Sequence, residues 1–146
     1  MRELYETKKD LNNEDKVKQW LSRMWNVNIY KMPMSYKLDF CLEKNDNKNG
    51  KPIVAFAEIK CRTTPIQKYP TYIISLAKVI AGKQLALHTN TKPLLIVSWT
   101  DDIKWINMNE DFKCVVGGRR DRNDWQDIEP LCEFDINKFN EIKSVR

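Results

Sequence analysis

Apolar residues recur at helical spacing in the segment EDKVKQWLSRMW, at Val17, Trp20, Leu21 and Met24. Asn12 and Asn13 precede this segment and can cap its first turn, so the pattern predicts an amphipathic helix. Glu14 lies three residues before Val17 and seven before Leu21, which places its carboxylate near the apolar side of that helix. The segment VNIY (27–30) then predicts a short strand.

Two segments with polar and apolar patterns typical of strands predict a β-hairpin. In YKLDFCLE (36–43) the side chains alternate, with Tyr36, Leu38, Phe40 and Leu42 on one face and Asp39 on the other. The polar stretch NDNKNGK predicts a turn, and the strand IVAFAEIKC (53–61) follows it. Because the turn is short, the two strands should pair antiparallel and bring Asp39 near Glu58.

The remaining patterns alternate between predicted helices and strands. A loop carrying Pro65 and Pro70 leads to a predicted helix over about residues 71–88. Its expected buried stripe contains Gln84 together with Ile73, Leu76, Ala77, Ile80 and Leu87. LLIVSW (94–99), IKWIN (103–107) and FKCVV (112–116) predict strands, GGRRDRND (117–124) predicts a loop, and DINKFNEIK (135–143) predicts a short closing helix.

Length and composition indicate one globular domain spanning residues 1–146. The longest apolar runs are too short to cross a bilayer and the polar N-terminus lacks a signal-peptide core, so we expect a cytoplasmic protein. The Lys- and Asn-rich, Gly-poor composition would suit an AT-rich genome, bacterial or phage. The four cysteines form no CxxC pair and accompany a single histidine, so buried reduced thiols are expected rather than a zinc site. A net charge of +5 permits a polyanionic partner without requiring one.

The candidate chemistry lies in the strand that contains Glu58 and Lys60. These side chains project from the same face, with Cα atoms roughly 7 Å apart along the chain. An unpaired charge there costs several kcal/mol, so the two residues either form a structural salt bridge or are compensated by an external group. Asp39 and Glu58 would repel each other unless a cation or a proton lies between them. Without a His or Cys cluster, the suitable cation is Mg²⁺ or Mn²⁺, which would bind phosphate oxygens as a Lewis acid.

The order of a helix with Glu14, a strand, a strand with Asp39, a strand with Glu58-Ile59-Lys60, a helix and a strand resembles the PD-(D/E)XK nuclease superfamily. The resemblance covers about residues 14–99. It implies an α/β protein with a restriction-endonuclease-like αβββαβ core, in which helices flank a central mixed sheet.

The same resemblance implies roles for individual residues. Asp39 and Glu58 would bind Mg²⁺, with Mn²⁺ as a substitute, together with the backbone carbonyl of Ile59. Lys60 would be the catalytic lysine, and Glu14 would be an auxiliary metal-binding acid. One departure from the family motif is Leu38, which stands where many members have a proline before the aspartate.

Further residues around this core have two interpretations each. Many members of the superfamily carry Gln or Lys on the next helix, so Gln84 or Lys83 could orient the attacking water or touch the scissile phosphate. Alternatively, Gln84 is a satisfied buried amide and the ammonium of Lys83 reaches solvent.

The candidate DNA contacts are basic side chains that can bind phosphate, and arginine can do so through two parallel hydrogen bonds. In the loop GGRRDRND, Asp121 and Asp124 could instead neutralise the arginines. The candidates are Arg62, Lys83, Arg119, Arg120 and Arg122.

Together these features predict a Mg²⁺-dependent deoxyribonuclease. It would be structure-directed, similar to a junction resolvase or a phage recombination nuclease, and we expect a homodimer because small members that cut both strands pair. Two alternatives stay open: a non-catalytic module that binds nucleic acid or protein on a nuclease fold, and a nuclease whose substrate is RNA.

Overall fold

The computed structural model describes residues 8–46, 50, 52–118 and 128–143. The helices of this part of the chain are α1 (Glu14–Trp25) and α2 (Leu76–Thr89), with 3-10 turns at Lys8–Asp10, Ile66–Lys68 and Ile136–Lys138. The strands are β1 (Val27–Lys31), β2 (Phe40–Lys44), β3 (Ile53–Cys61), β4 (Thr71–Ser75), β5 (Lys92–Ser98), β6 (Ile103–Asn107), β7 (Lys113–Gly118), β8 (Ile128–Asp135) and β9 (Asn140–Glu141).

The strands form two sheets. The larger sheet has six strands in the order β1-β2-β3-β5-β6-β9, in which β3 and β5 run parallel and all other neighbours run antiparallel. The smaller sheet is antiparallel, in the order β4-β8-β7. The central mixed sheet of the predicted α/β fold is therefore confirmed, while the smaller sheet was not predicted.

The two faces of the larger sheet are covered by different elements. On one face, Val17 and Leu21 of α1 pack in a cluster with Ala57 and Ile59 of β3. On the other face, Phe56 of β3 belongs to a second cluster that includes Val79 of α2 and residues of the smaller sheet. Because side chains alternate along a strand, β3 contributes apolar groups to both clusters. Glu58 follows Phe56 by two residues and therefore lies on the α2 face.

The predicted first helix is confirmed, and its local chemistry explains its bounds. The side chain of Asn13 accepts a hydrogen bond of 2.9 Å from the backbone N–H of Asp15, which satisfies one free donor of the first turn. The helix ends at Asn26, which has a φ of 52°, a left-handed conformation that Asn tolerates. Val17, Trp20 and Leu21 are buried, as the spacing predicted.

The strand that contains Phe40 is shorter than its alternating pattern predicted. Residues 34–39 form turns and bends, and β2 begins only at Phe40. The backbone N–H of Tyr36 donates to the carbonyl of Pro33 at 3.0 Å, which closes a turn where the alternation predicted extended chain. The antiparallel pairing of β2 with β3 is confirmed.

The predicted second helix was wrong in its first turn and in its buried face. Residues 71–75 form β4, which pairs with β8, because the sequence TYIIS is rich in β-branched residues. The helical part buries Val79, Gly82 and Ala86, whereas Ile80 and Leu87 are 45% and 80% exposed. Small residues form this face because α2 packs close to the sheet. A Cβ atom at Gly82 would lie 3.0 Å from Leu38 Cδ1 and from Met108 Sδ.

The C-terminal part also differs from its prediction. Residues 128–135 form β8, and the predicted closing helix consists of one 3-10 turn followed by β9. The pairing partners of β8 are β4 and β7, which are distant in sequence from each other, so the local pattern did not reveal this strand. Of the four cysteines, all free, Cys41 and Cys132 are buried but Cys114 is exposed, contrary to the expectation for that residue.

Neither α1 nor α2, the α-helices of the described chain, has the length and apolarity that a membrane-spanning helix requires.

Shortening single side chains distinguishes the buried face of α2 that the structure shows, with Val79, from the face that the sequence predicted, with Ile80. Val79→Ala should lower the free energy of unfolding by about 1–3 kcal/mol, because it removes two methyl groups from a fully buried position. Ile80→Ala, one residue further on the same helix, should cost less than about 1 kcal/mol because that side chain is half exposed. Urea unfolding of both variants measures the difference. Equal losses, or a larger loss at Ile80, would contradict the observed face.

Candidate active site

Glu58 is a carboxylate with 0% exposure in the middle of the larger sheet. Its Oε1 atom accepts a hydrogen bond from Lys78 Nζ and lies 3.3 Å from Lys60 Nζ. The side chains of Lys60 and Lys78 are 35% and 30% exposed, so both ammonium groups lie between the buried carboxylate and solvent. A buried carboxylate needs such compensation, because an unpaired charge in the interior is costly. The Glu58–Lys60 pair expected from strand alternation is thus present as an ion pair.

Lys78 was missed as a site residue by the sequence interpretation. It lies in the first turn of α2, directly before the buried Val79, and its ammonium reaches across to β3. The signal that identifies it is the spacing of Val79, Gly82 and Ala86, a stripe of small or β-branched residues with Lys78 at its edge. The bulkier Ile80 and Leu87 obscured this stripe.

The second oxygen of Glu58 tests whether the site can accept a metal ion. Oε2 is buried and has no hydrogen-bond partner within the described residues. A buried, unsatisfied carboxylate oxygen is costly, and it is the type of ligand that Mg²⁺ and Mn²⁺ prefer. The lysines contact Oε1, so they leave Oε2 available. This donor chemistry fits a hard divalent cation.

Asp39 lies directly before β2, at the point where β2 and β3 separate. The last paired residues of these strands are Phe40 and Ala57, and continuing the register by one residue puts Asp39 opposite Glu58. The pairing of β3 with β5 continues as far as Cys61 and Ser98. Residues 58–61 of β3, which include Ile59, therefore have a paired strand on the β5 side but none on the β2 side in the described chain. That Asp39 and the Ile59 carbonyl are metal ligands stays a prediction.

Glu14 lies on the other face of the larger sheet from Glu58, because α1 covers that face. Burial raises the pKa of the Cys61 thiol, and the nearby Glu14 carboxylate raises it further, so Glu14 lies close to the end of β3. Among the described residues, no three His, Cys, Asp or Glu side chains group closely enough to hold a metal ion. Glu14 is therefore not grouped with Asp39 and Glu58, and its role stays a prediction.

The structure does not bring the other α2 candidates to Glu58. Lys83 Nζ lies 5.1 Å from the ring centroid of Phe112, against the smaller sheet. Gln84 is exposed, so the expectation that it is buried in the helix stripe was wrong, because the apolar face of α2 is rotated towards Val79 and Gly82. The catalytic role suggested for Gln84 stays a prediction.

Among the candidate DNA contacts, Arg62 is exposed at the end of β3, and its guanidinium carbon lies 5.2 Å from the ring centroid of Tyr72. Arg119, Arg120 and Arg122 lie outside the described residues.

Tyr72 is a second buried polar residue beside the site. Burial raises its pKa from 10.0 to about 12, and the positive charge and hydrogen bonding of the nearby Arg62 partly oppose this rise, while Glu58 adds to it. The buried hydroxyl makes no hydrogen bond of good geometry within the described residues, and Arg62 is the polar group beside it. Tyr72 therefore stays protonated at neutral pH and can donate a hydrogen bond.

Comparison with known proteins first defines the class of fold. The structure is similar to that of Hjc, a Holliday junction resolvase from the archaeal hyperthermophile Archaeoglobus fulgidus, with a TM-score of 0.51. The match covers 85% of this chain and 94% of that chain at 11% sequence identity, and at this identity it shows the fold alone. The predicted restriction-endonuclease-like core is thereby confirmed.

The family follows from the sequence itself. A model of the family described as "Phage putative PDDEXK endonuclease" matches residues 1–142, and the chain belongs to this family. The resemblance to the PD-(D/E)XK superfamily is thus confirmed. No curated protein matches the sequence.

The pairing of Glu58 with Lys78 predicts an asymmetry between two lysines of α2. Lys78→Met should lower the free energy of unfolding by about 1–3 kcal/mol, because it removes one of two cations from a buried carboxylate. Lys83→Met, on the same helix, should cost less than about 1 kcal/mol. Combining Lys78→Met with Glu58→Gln should cost less than the sum of the two single changes. Additive losses in urea unfolding would contradict the pairing.

The raised pKa of Tyr72 predicts a change of stability with pH. Between pH 10 and 12 the unfolded chain releases the phenolic proton while the folded chain retains it, so stability falls as pH rises through this window. The wild type should lose roughly 2–3 kcal/mol more than Tyr72→Phe across that range. Unfolding curves of both proteins at pH 9 and at successive higher pH values, about one unit apart, measure the difference. Parallel pH dependences would argue against the assignment.

Proposed function

We propose that this protein is a divalent-metal-dependent deoxyribonuclease that hydrolyses DNA phosphodiester bonds in a structure-directed manner, as a junction resolvase or a phage recombination nuclease does. The observation that carries the proposal is the buried Glu58 carboxylate, whose Oε1 contacts two lysines while its Oε2 has no partner within the described residues. Membership of a PDDEXK endonuclease family supports the same reaction class.

Glu58 Oε2, the Asp39 carboxylate and the carbonyl of Ile59 are the groups that would hold Mg²⁺, with Mn²⁺ as a substitute, and Glu14 is a candidate auxiliary acid. When bound, the ion would supply Lewis-acid polarisation of a phosphate oxygen and lower the pKa of a water. The end of the β2–β3 pairing supports this set of ligands. Since β3 has no β2 partner beyond Ala57, Glu58 and the Ile59 carbonyl lie where the sheet opens beside Asp39.

The two lysines beside Glu58 have different roles in this proposal. Lys60 is one-third exposed, so its ammonium can contact the phosphate or orient the attacking water. Lys78 contacts Oε1 and thereby orients the Glu58 carboxylate. Glu58, Lys60 and Lys78 together carry a formal charge of +1, which favours the approach of a phosphodiester. Gln84 is a further candidate for contact with the attacking water.

DNA is the proposed substrate because of the family and because the similar fold belongs to a Holliday junction resolvase. Basic side chains would bind the phosphate backbone, which carries most of the affinity in such complexes. These are Arg62, Lys83, Arg119, Arg120 and Arg122. We expect the protein to act as a homodimer, in which a second copy cuts the second strand, in the cytoplasm of a bacterial or phage-infected cell.

One observation favours a second candidate function. Glu58 is already neutralised by two lysines without a metal ion, as in a structural ion cluster. A module that binds nucleic acid or protein without cutting would keep this cluster for stability alone. Such a module need not be stabilised by Mg²⁺ or Mn²⁺.

Cleavage assays distinguish the two functions. Labelled linear duplex, single-stranded and four-way-junction DNA should be cut with Mg²⁺ or Mn²⁺. Glu58→Ala and Lys60→Ala should each lower the rate by about 10²-fold or more, because the first removes a group that would hold the metal ion and the second removes a positive charge beside the reacting phosphate. Lys92→Ala, an exposed lysine at the start of β5, is the matched control and should leave the rate unchanged.

Thermal unfolding provides the control for folding and for metal binding. The wild type should be stabilised by Mn²⁺ and Glu58→Ala should not, because the ion binds only the folded site. If folded Glu58→Ala cuts as fast as the wild type, or if no nucleic acid is cut, the nuclease assignment is wrong. Matched RNA strands in the same assay decide between DNA and RNA as the substrate.

A further inference from the structure

A cavity of about 470 Å³ opens directly after the end of β3. Its volume lies in the range of small-ligand pockets. The wall combines aromatic rings with charged groups, and we call it the aromatic pocket. Its principal lining residues are Arg62, Tyr69, Tyr72, Trp99, Glu133 and Ile136.

The aromatic pocket adjoins the candidate active site. Arg62 follows Lys60 by two residues, roughly 7 Å along an extended chain. Its guanidinium carbon lies 5.2 Å from the ring centroid of Tyr72. Tyr72 in turn lies within electrostatic reach of Glu58. A ligand in the pocket would therefore be a close neighbour of a phosphate bound at Glu58 and Lys60.

The rings of the pocket are held in different ways. Trp99 and Tyr72 pack edge to face, with centroids 6.0 Å apart at 89°, and both are buried. The ring of Tyr69 is 58% exposed at the mouth, and Lys68 Nζ lies 5.7 Å from its centroid. Tyr69 is therefore the ring on which a flat ligand can stack, while the buried Tyr72 and Trp99 form the rigid wall behind it.

Polar groups in the wall include a donor and an acceptor. The hydroxyl of Tyr72 makes no hydrogen bond of good geometry in the described chain and is buried beside Arg62, which is the exposed donor of the wall. Glu133 accepts a hydrogen bond of 3.4 Å from Thr71, and its carboxylate can accept more than one. Arg62 contributes a positive charge beside these groups.

We propose that the aromatic pocket binds one unpaired nucleobase of the DNA substrate, next to the phosphate that is cut. A base offers a flat face for Tyr69, polar edges for Tyr72 and Glu133, and an attached phosphate for Arg62. The inference rests on the proposed function and narrows its substrate to DNA with an unpaired or easily unstacked nucleotide at the cleavage point.

A base-binding pocket would favour distorted DNA over a regular duplex. Inside a duplex the base is stacked and paired, so entry into the pocket costs the free energy of unstacking. At a bulge or a branch point this cost is already reduced. The base that enters then gains stacking on aromatic side chains, which is tolerant of sequence because every base has a flat face.

Binding to two matched duplexes tests the proposal. Both carry a one-nucleotide bulge, which is adenine in one and an abasic residue in the other, and fluorescence anisotropy is measured in EDTA to prevent cutting. The wild type should bind the adenine bulge about tenfold more tightly. Tyr69→Ala should abolish this preference. Tyr30→Ala, which removes a tyrosine that is 50% exposed from the edge strand β1, should retain it.

Tyr72→Phe separates binding from folding, because it keeps the ring and removes the buried hydroxyl. The variant should show a several-fold weaker preference for adenine. Its thermal midpoint should stay close to that of the wild type, since the change keeps the buried ring and removes a hydroxyl that makes no hydrogen bond of good geometry. A lower midpoint together with an unchanged preference would overturn the role of this hydroxyl in the pocket.

Equal affinity of the wild type for both bulges, or a preference that persists in Tyr69→Ala, would overturn the proposal. Cleavage of the same duplexes with Mn²⁺ separates this failure from that of the nuclease function. Cutting of both duplexes without a preference for adenine would contradict base binding in the pocket and support the nuclease function. A preference for adenine without cutting would support base binding and contradict the nuclease function. A protein that binds neither duplex and cuts neither with Mn²⁺ overturns both.

Discussion

The burial of the Glu58 carboxylate is the constraint on which the arrangement of this molecule depends. A charged group without solvent exposure requires cations, and they come from two elements: Lys60 from the same strand and Lys78 from α2. The second contact requires α2 to lie close to the sheet. Gly82 and Ala86 on the buried face of the helix allow that approach. The ion pair between Lys78 and Glu58 therefore requires that α2 packs closely against β3.

The separation of β2 from β3 opens the sheet beside this ion cluster, where a cation or a substrate could approach. β2 and β3 are paired up to Ala57, while β5 accompanies β3 to Cys61. The carboxylate consequently lies where one side of the strand has lost its neighbour, with Asp39 at the margin of the opening. Beyond it the chain turns at Arg62 into the aromatic pocket. The opening that could admit a cation thus continues into a cavity of a size and polarity suited to a base.

Several features could be predicted from the sequence because they depend on neighbouring residues. The cap at Asn13, the buried face of α1 and the antiparallel hairpin of β2 and β3 follow from local spacing and turn chemistry. The placement of Glu58 and Lys60 on one face follows from strand alternation alone. Where a local pattern had two outcomes, the prediction failed. The segment TYIIS could extend a helix or form a strand. It forms the strand β4 because it pairs with β8, which is distant in sequence.

The sequence by itself determined the class of fold, the family and the carboxylate and lysine of the β3 motif, because order, spacing and alternation are properties of the chain. Tertiary structure alone decided which lysine of α2 reaches Glu58, which face Glu14 occupies and where a cavity forms. Those features depend on the rotation of α2 about its axis and on contacts between residues far apart in sequence. Gly82 and Ala86 set that rotation by close packing, and the larger Ile80 and Leu87 lie outside the core.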